Sequence, residues 1–160
     1  MHINRFTTSA AAVLFLVFAS PAAADDTILT ITGNVTAGTE VNFTLSEIEA
    51  MGTAQIVTTT PWHDGEVTFE GVPMSRLMEA VGAHGTTAFV LALNNYSTEV
   101  PMSDFTSYEA ILAFKKDGQY MEVADKGPLF IIYPYDDVAE LKSELYYSRS
   151  AWQVRSIDIE

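Results

Sequence analysis

Trp62, His63 and Asp64 stand side by side in the stretch "TTTPWHDGEV", residues 58–67. An imidazole next to a carboxylate offers two ligands to a divalent cation, whereas a catalytic zinc site takes three from the protein. His2 and His84 are the other histidines. His84 belongs to a different turn, and no third donor falls at a suitable spacing, so no metal is expected. The chain has no cysteine, which excludes thiolate-bound zinc, iron–sulfur clusters and a cysteine nucleophile. No Gly-x-Ser-x-Gly elbow or Ser, His and Asp grouping supports nucleophilic catalysis. Molecular recognition, through aromatic faces and hydrogen-bonding groups, is the chemistry left to this turn.

The elements that must position it alternate short β-branched or aromatic runs with turn signals. "TILTITG" (27–33) and "VNFTL" (41–45) read as strands, and Ser46-Glu47-Ile48-Glu49 has the spacing of a capping box opening a helix through Met51. "AQIVTTT" and "EVTFEG" flank Asp64-Gly65, a hairpin turn signal. Pro73 suits a first helical turn; Met74, Leu77, Met78 and Val81 share one face, a core stripe, before Gly82 ends the helix. "TTAFVLALN" reads as a central strand, and Asp117-Gly118 as a hairpin between "AILAFKK" and "QYMEV". "PLFIIYP" is a buried strand, "DDVAELKSE" a short helix or turn, and "WQVRSIDIE" a closing strand. With no repeat or linker, this predicts a mainly β, α+β single domain.

Residues 1–24 carry Arg5, the apolar run "AAAVLFLVFA" and small residues at Ala22 and Ala24, the pattern of a signal peptide cleaved before Asp25. The run is about half of the roughly 20 residues a membrane span needs. Without paired arginines the leader reads as a Sec signal, and without cysteine there is no lipoprotein anchor. The expectation is a domain of residues 25–160, exported to a bacterial periplasm and not inserted in the membrane. Loss of the leader leaves seven basic against 21 acidic residues, a formal charge of −14. Such a charge disfavours nucleic acid and anionic lipid as partners.

"FEGVPMSRLMEAVG", a strand ending in aromatic-x-Gly-Val-Pro followed by a helix closed by glycine, is similar to a signature of the sulfite-oxidase-like molybdopterin-binding domain family. "LALNNYSTEVPMSD", "ILAFKKDGQYMEVADKGPLFIIYP" and "SRSAWQVRSIDI" resemble further family segments in the same order, together spanning nearly all of Thr27 to Ile159. The resemblance implies the sulfite-oxidase-like fold and a molybdenum ligated by a cysteine about a dozen residues ahead of Gly71. Threonines 58 to 60 occupy that position here, and a hydroxyl is a poor substitute for a soft thiolate. The cation that the resemblance implies after the Gly-Pro segment falls at Phe130. The terminal Ser-x-Lys-Trp donors fall at Arg149 and Ala151, counted from Trp152. The resemblance also implies export of folded, cofactor-loaded enzymes through twin-Arg leaders.

If the family's cleft persists, it is lined by Thr60, Trp62, His63, Asn94, Asn95, Tyr96, Tyr133, Tyr135, Asp136, Arg149 and Trp152. Such a set suits a small polar or aromatic ligand better than a phosphate. For each residue a structural role is the alternative. Trp62 can pack as a hairpin lid and His63 can be a solvated turn residue. Asp136 or Asp137 can cap a helix beyond Tyr133 and Tyr135, and Arg149 can pair with one of these aspartates.

The sequence thus reads as an exported, non-catalytic family member: a small-ligand-binding or sensory accessory module with no cofactor. Its partner would be a small molecule or the periplasmic segment of a membrane signalling or redox protein. A periplasmic molybdopterin-dependent oxidoreductase and a purely structural interaction protein are the rival readings.

Overall fold

Residues 26–160 are described by a computed structural model; the expected leader and its cleavage point lie outside the described residues. No helix among the described residues is long and apolar enough to cross a membrane. In chain order the strands are β1 (Leu29–Gly33), β2 (Glu40–Phe43), β3 (Ala54–Thr60), β4 (His63–Pro73), β5 (Thr87–Ala92), β6 (Ser97–Pro101), β7 (Ile111–Lys116), β8 (Gln119–Tyr120), β9 (Phe130–Ile132) and β10 (Val154–Ile159). The helices are α1 (Leu45–Ala50), α2 (Met74–Val81), α3 (Met102–Ser107) and α4 (Glu144–Arg149).

Two sheets form. The first has the order β2-β1-β10-β5-β6; the second runs β3-β4-β7-β8, with β9 also pairing β7. The final strand of the chain lies at the centre of the first sheet, parallel to β1 and antiparallel to β5. The segment read as a central strand, β5, is therefore interior but not central. Alternation in β1 puts Leu29 and Ile31 into the core and leaves Thr30 and Thr32 half-buried, as a pleated strand with one covered face requires. The main core joins those residues to the α2 stripe Met74, Leu77, Met78 and Val81.

Three local readings are corrected. The capping box of α1 starts at Thr44, whose hydroxyl accepts the Glu47 N–H at 3.2 Å while the Glu47 carboxylate accepts the Thr44 N–H at 2.8 Å. Ser46 has the same spacing to Glu49 but lies inside the helix; the entry of β2 selects the earlier box. Pro73 stands at the N-cap of α2 and not within its first turn, and Gly82, at φ 62°, closes that helix in the left-handed region.

The third correction positions the site. The β3–β4 chain reversal falls at Pro61-Trp62, with Thr60 paired to His63, and not at Asp64-Gly65. Thr59 pairs with Glu66, so Asp64 and Gly65 form a bulge in β4, with Gly65 at φ 75°. By contrast, Asp117-Gly118 makes the expected hairpin, both residues at positive φ between the paired Lys116 and Gln119.

Candidate functional site

With the turn moved three residues back, Trp62 faces the interior. Its ring meets Phe130 at 5.4 Å, Tyr147 at 5.7 Å, Trp152 at 5.7 Å and Tyr135 at 6.3 Å between centroids, all edge-to-face. This geometry suits aromatic quadrupoles. Trp62 packs against both hydrophobic clusters, so it is more than a hairpin lid. Trp152 is held by an isolated bridge to Phe130, and Tyr147 is carried by α4.

Trp62, Tyr147 and Trp152 wall a cavity of about 230 Å³ whose remaining lining is Tyr96, Glu144, Ser148 and Ser150. Tyr96 follows the Asn94-Asn95 turn, with Asn95 at φ 65°, and its hydroxyl donates to the Ser148 carbonyl at 2.7 Å. That bond ties the β5–β6 connection to α4 and closes one side. Asn94 accepts the Tyr96 N–H at 2.9 Å, which sets the turn; neither asparagine lines the cavity.

The remaining predicted residues go elsewhere. Tyr133 and Tyr135 are fully buried. The Tyr133 hydroxyl donates to Asp104 at 3.0 Å, and the Tyr135 hydroxyl bonds Ser150 Oγ. Burial, with the Asp104 charge beside it, raises the Tyr133 phenol; burial is also the main cause that raises Tyr135, against the opposing hydrogen bond to Ser150. Arg149 pairs with neither Asp136 nor Asp137. Its guanidinium donates to Asp104 at 2.9 Å and lies 5.2 Å over the Tyr146 ring. Asp104 carries no signal in the sequence beyond being one of many acidic residues.

Asp136 caps no helix. Its carboxylate accepts the Thr59 N–H at 2.6 Å and the Thr59 hydroxyl at 2.8 Å, and it pairs with Lys142 at 2.5 Å. In return the Asp136 N–H donates to the buried Thr58 hydroxyl at 3.2 Å. The Lys142 ammonium first, then the Thr59 donors, hold the Asp136 carboxyl well below the usual carboxylate range.

His63 is not a solvated turn residue. It opens β4 with Nδ1 2.9 Å from the Thr60 hydroxyl, its ring edge-on to Phe69 at 5.8 Å and its Nε2 buried without a hydrogen bond. Burial, followed by Lys116 and Lys126, lowers its pKa from the ordinary histidine value. No group of three or more candidate metal ligands occurs among the described residues.

Two packed sheets with this topology, and an aromatic site where the hairpin meets the terminal strand, define a domain of the sulfite-oxidase-like class. The model of the oxidoreductase molybdopterin binding domain matches residues 18–136, and the chain belongs to that family. It is similar in fold to the sulfane dehydrogenase SoxCD from Paracoccus pantotrophus, with a TM-score of 0.59, 17% identity and 82% of this chain covered. The match takes in 37% of the SoxCD chain, so the present domain spans little more than a third of that protein. No curated protein sequence matches it.

The residues present do not fit the cofactor for which the family is named. Where the resemblance places a thiolate, the Thr58 and Thr59 hydroxyls are engaged by Asp136 and the Thr60 hydroxyl by His63. Phe130 and Ala151, at two positions where it implies cationic donors, are fully buried apolar groups, and Arg149 is engaged by Asp104. The aromatic cavity, about 230 Å³, is also smaller than the roughly 300–1,000 Å³ of pockets for drug-sized ligands.

Proposed function

We propose that this chain is an exported, non-catalytic member of its family that binds a small organic ligand in the Trp62–Tyr96–Tyr147–Trp152 cavity and acts as a sensory or accessory module. The observation that carries the reading is the lock between Thr58, Thr59 and Asp136. It occupies the expected metal-ligand position with side chains that satisfy one another. Burying a phosphate-bearing pterin here without a paired cation would cost several kcal/mol. The aromatic cavity remains as concave surface for a small molecule. In such a module the ligand state would be passed to a partner such as the periplasmic segment of a membrane signalling or redox protein.

Elemental analysis for molybdenum, with pterin fluorescence after denaturation, tests this on protein exported by its own leader from a molybdate-replete host. The reading expects neither signal, together with small molecules that raise the melting temperature. Stoichiometric molybdenum would overturn it and favour a periplasmic oxidoreductase.

A further inference from the structure

The cavity between the hairpin turn and α4 has the composition of a cation cage, and we infer that its ligand is a small organic cation bearing a methylated ammonium head group. This rests on the ligand-binding reading above and names the ligand class for that site.

Four aromatic side chains, Trp62, Tyr96, Tyr147 and Trp152, line the cavity, and a single carboxylate, Glu144, accompanies them. The Trp62 plane stands at 75° to Tyr147 and 71° to Trp152, so the rings form walls instead of a stack. An aromatic face carries negative quadrupole charge, and several faces around one space attract a soft, weakly hydrated cation. No basic side chain lines the space, and the exposed Glu144 has neither an ion-pair partner nor a side-chain hydrogen bond among the described residues, which leaves its carboxylate available to a ligand.

Part of the donor set of the lining is already committed within the protein. The Tyr96 hydroxyl donates to the Ser148 carbonyl, Ser148 Oγ to the Leu145 carbonyl and Ser150 Oγ to the Tyr146 carbonyl, each at 2.7 Å. These three lining hydroxyls have no hydrogen left for a carboxylate or phosphate. The same aromatic group already carries cations: Lys126 lies 5.7 Å from the centroid of the wall Trp152 and Arg149 5.2 Å from that of the neighbouring Tyr146, and neither cation lines the cavity. A volume of about 230 Å³ admits a compact head group, below the usual range for drug-sized ligands.

The chain has two tryptophans and both are walls of the cavity, so tryptophan fluorescence, excited selectively over tyrosine, reports on this site. Mature protein is titrated at constant ionic strength with choline chloride and with 3,3-dimethyl-1-butanol, the uncharged carbon isostere of choline. Choline is expected to give a saturable change at least about tenfold tighter than the isostere. Glu144→Gln, an exposed substitution, should weaken choline several-fold and leave the isostere unaffected. Tyr96→Ala, also exposed, should weaken choline more than Tyr96→Phe, which likewise loses the bond to the Ser148 carbonyl but keeps the ring. Equal affinity for choline and the isostere overturns the cation assignment and leaves the cavity as a binding site. No saturable change with either overturns the assignment; if small molecules also fail to raise the melting temperature, the ligand-binding reading falls with it.

Discussion

The carboxylate of Asp136 accepts both the backbone N–H and the side-chain hydroxyl of Thr59, a residue 77 positions away in the chain. Together with the Asp136 N–H on Thr58 Oγ1, this stitches the end of β3 to the segment after β9. It closes the loop in which relatives with a thiolate would carry their metal.

That lock makes stability depend on acid in a definite direction. Because the folded-state pKa of Asp136 is depressed, the unfolded chain binds the proton more readily below the ordinary carboxylate pKa of about 4. The stabilisation is fully present above that value and is lost as the pH falls through the folded-state value. Thermal melts from pH 7 down to pH 3 should show the wild type above Asp136→Asn at neutral pH, with the gap narrowing in acid. A gap constant over that range would show that the carboxylate charge is not what holds the loop.

Arg149 and Asp104 form a pair whose side chains are 17% and 7% exposed. Removing one partner of a buried pair strands the other, at a typical cost of 3–5 kcal/mol. Asp104→Ala should therefore lower unfolding free energy by about 3 kcal/mol in urea titrations. Arg149→Lys should lose most of the same amount, because one ammonium cannot reproduce both the carboxylate bond and the contact with the Tyr146 face.

Burial, followed by the nearby Lys116 and Lys126, shifts His63 toward its neutral form. Its imidazole should titrate by NMR with a midpoint below 6.5. With a lowered folded-state pKa, the contribution of His63 is complete above the unfolded histidine value and declines as the pH falls below it. His63→Phe, which keeps a ring against Phe69, should flatten the decline in melting temperature between about pH 7 and pH 5. An unchanged slope would assign that decline to other groups.

Two glycines separate steric from conformational cost. A Cβ on Gly71 would meet the Leu112 carbonyl oxygen at 2.2 Å, forcing β4 from β7, whereas one on Gly65 meets nothing within 4 Å but sits at φ 75°. Gly71→Ala should cost more than about 3 kcal/mol or abolish folding. Gly65→Ala should cost about 1–2 kcal/mol. Chemical denaturation of the two variants side by side checks both the order and the sizes.

Features set by neighbouring residues were legible from the sequence. Asp117-Gly118 requires positive φ at consecutive positions, which few residue pairs provide, so that hairpin declares itself locally. The stripe Met74, Leu77, Met78, Val81 followed by Gly82 likewise specifies a helix, its buried face and its end. The family resemblance, carried by such segments, was enough to anticipate the fold class and the missing thiolate.

Tertiary structure decided where local signals competed or the partner was remote. Thr44-x-x-Glu47 and Ser46-x-x-Glu49 are equally good capping boxes by spacing, and the path of β2 into α1 chose between them. Asp64-Gly65 is a sound turn by composition. Pairing of Thr59 with Glu66 and Thr60 with His63 made it a bulge, and the turn at Pro61-Trp62 buries an indole against four other rings. Arg149 found Asp104, 45 residues away, among many carboxylates that composition could not rank. Neither α3 nor α4 announced itself, because six residues are too few to show a helical period. The cavity joins a hairpin turn, the β5–β6 connection, α4 and Trp152, two residues before the last strand. Local propensity acts over a few bonds, while the walls of this site meet only after the sheets have packed.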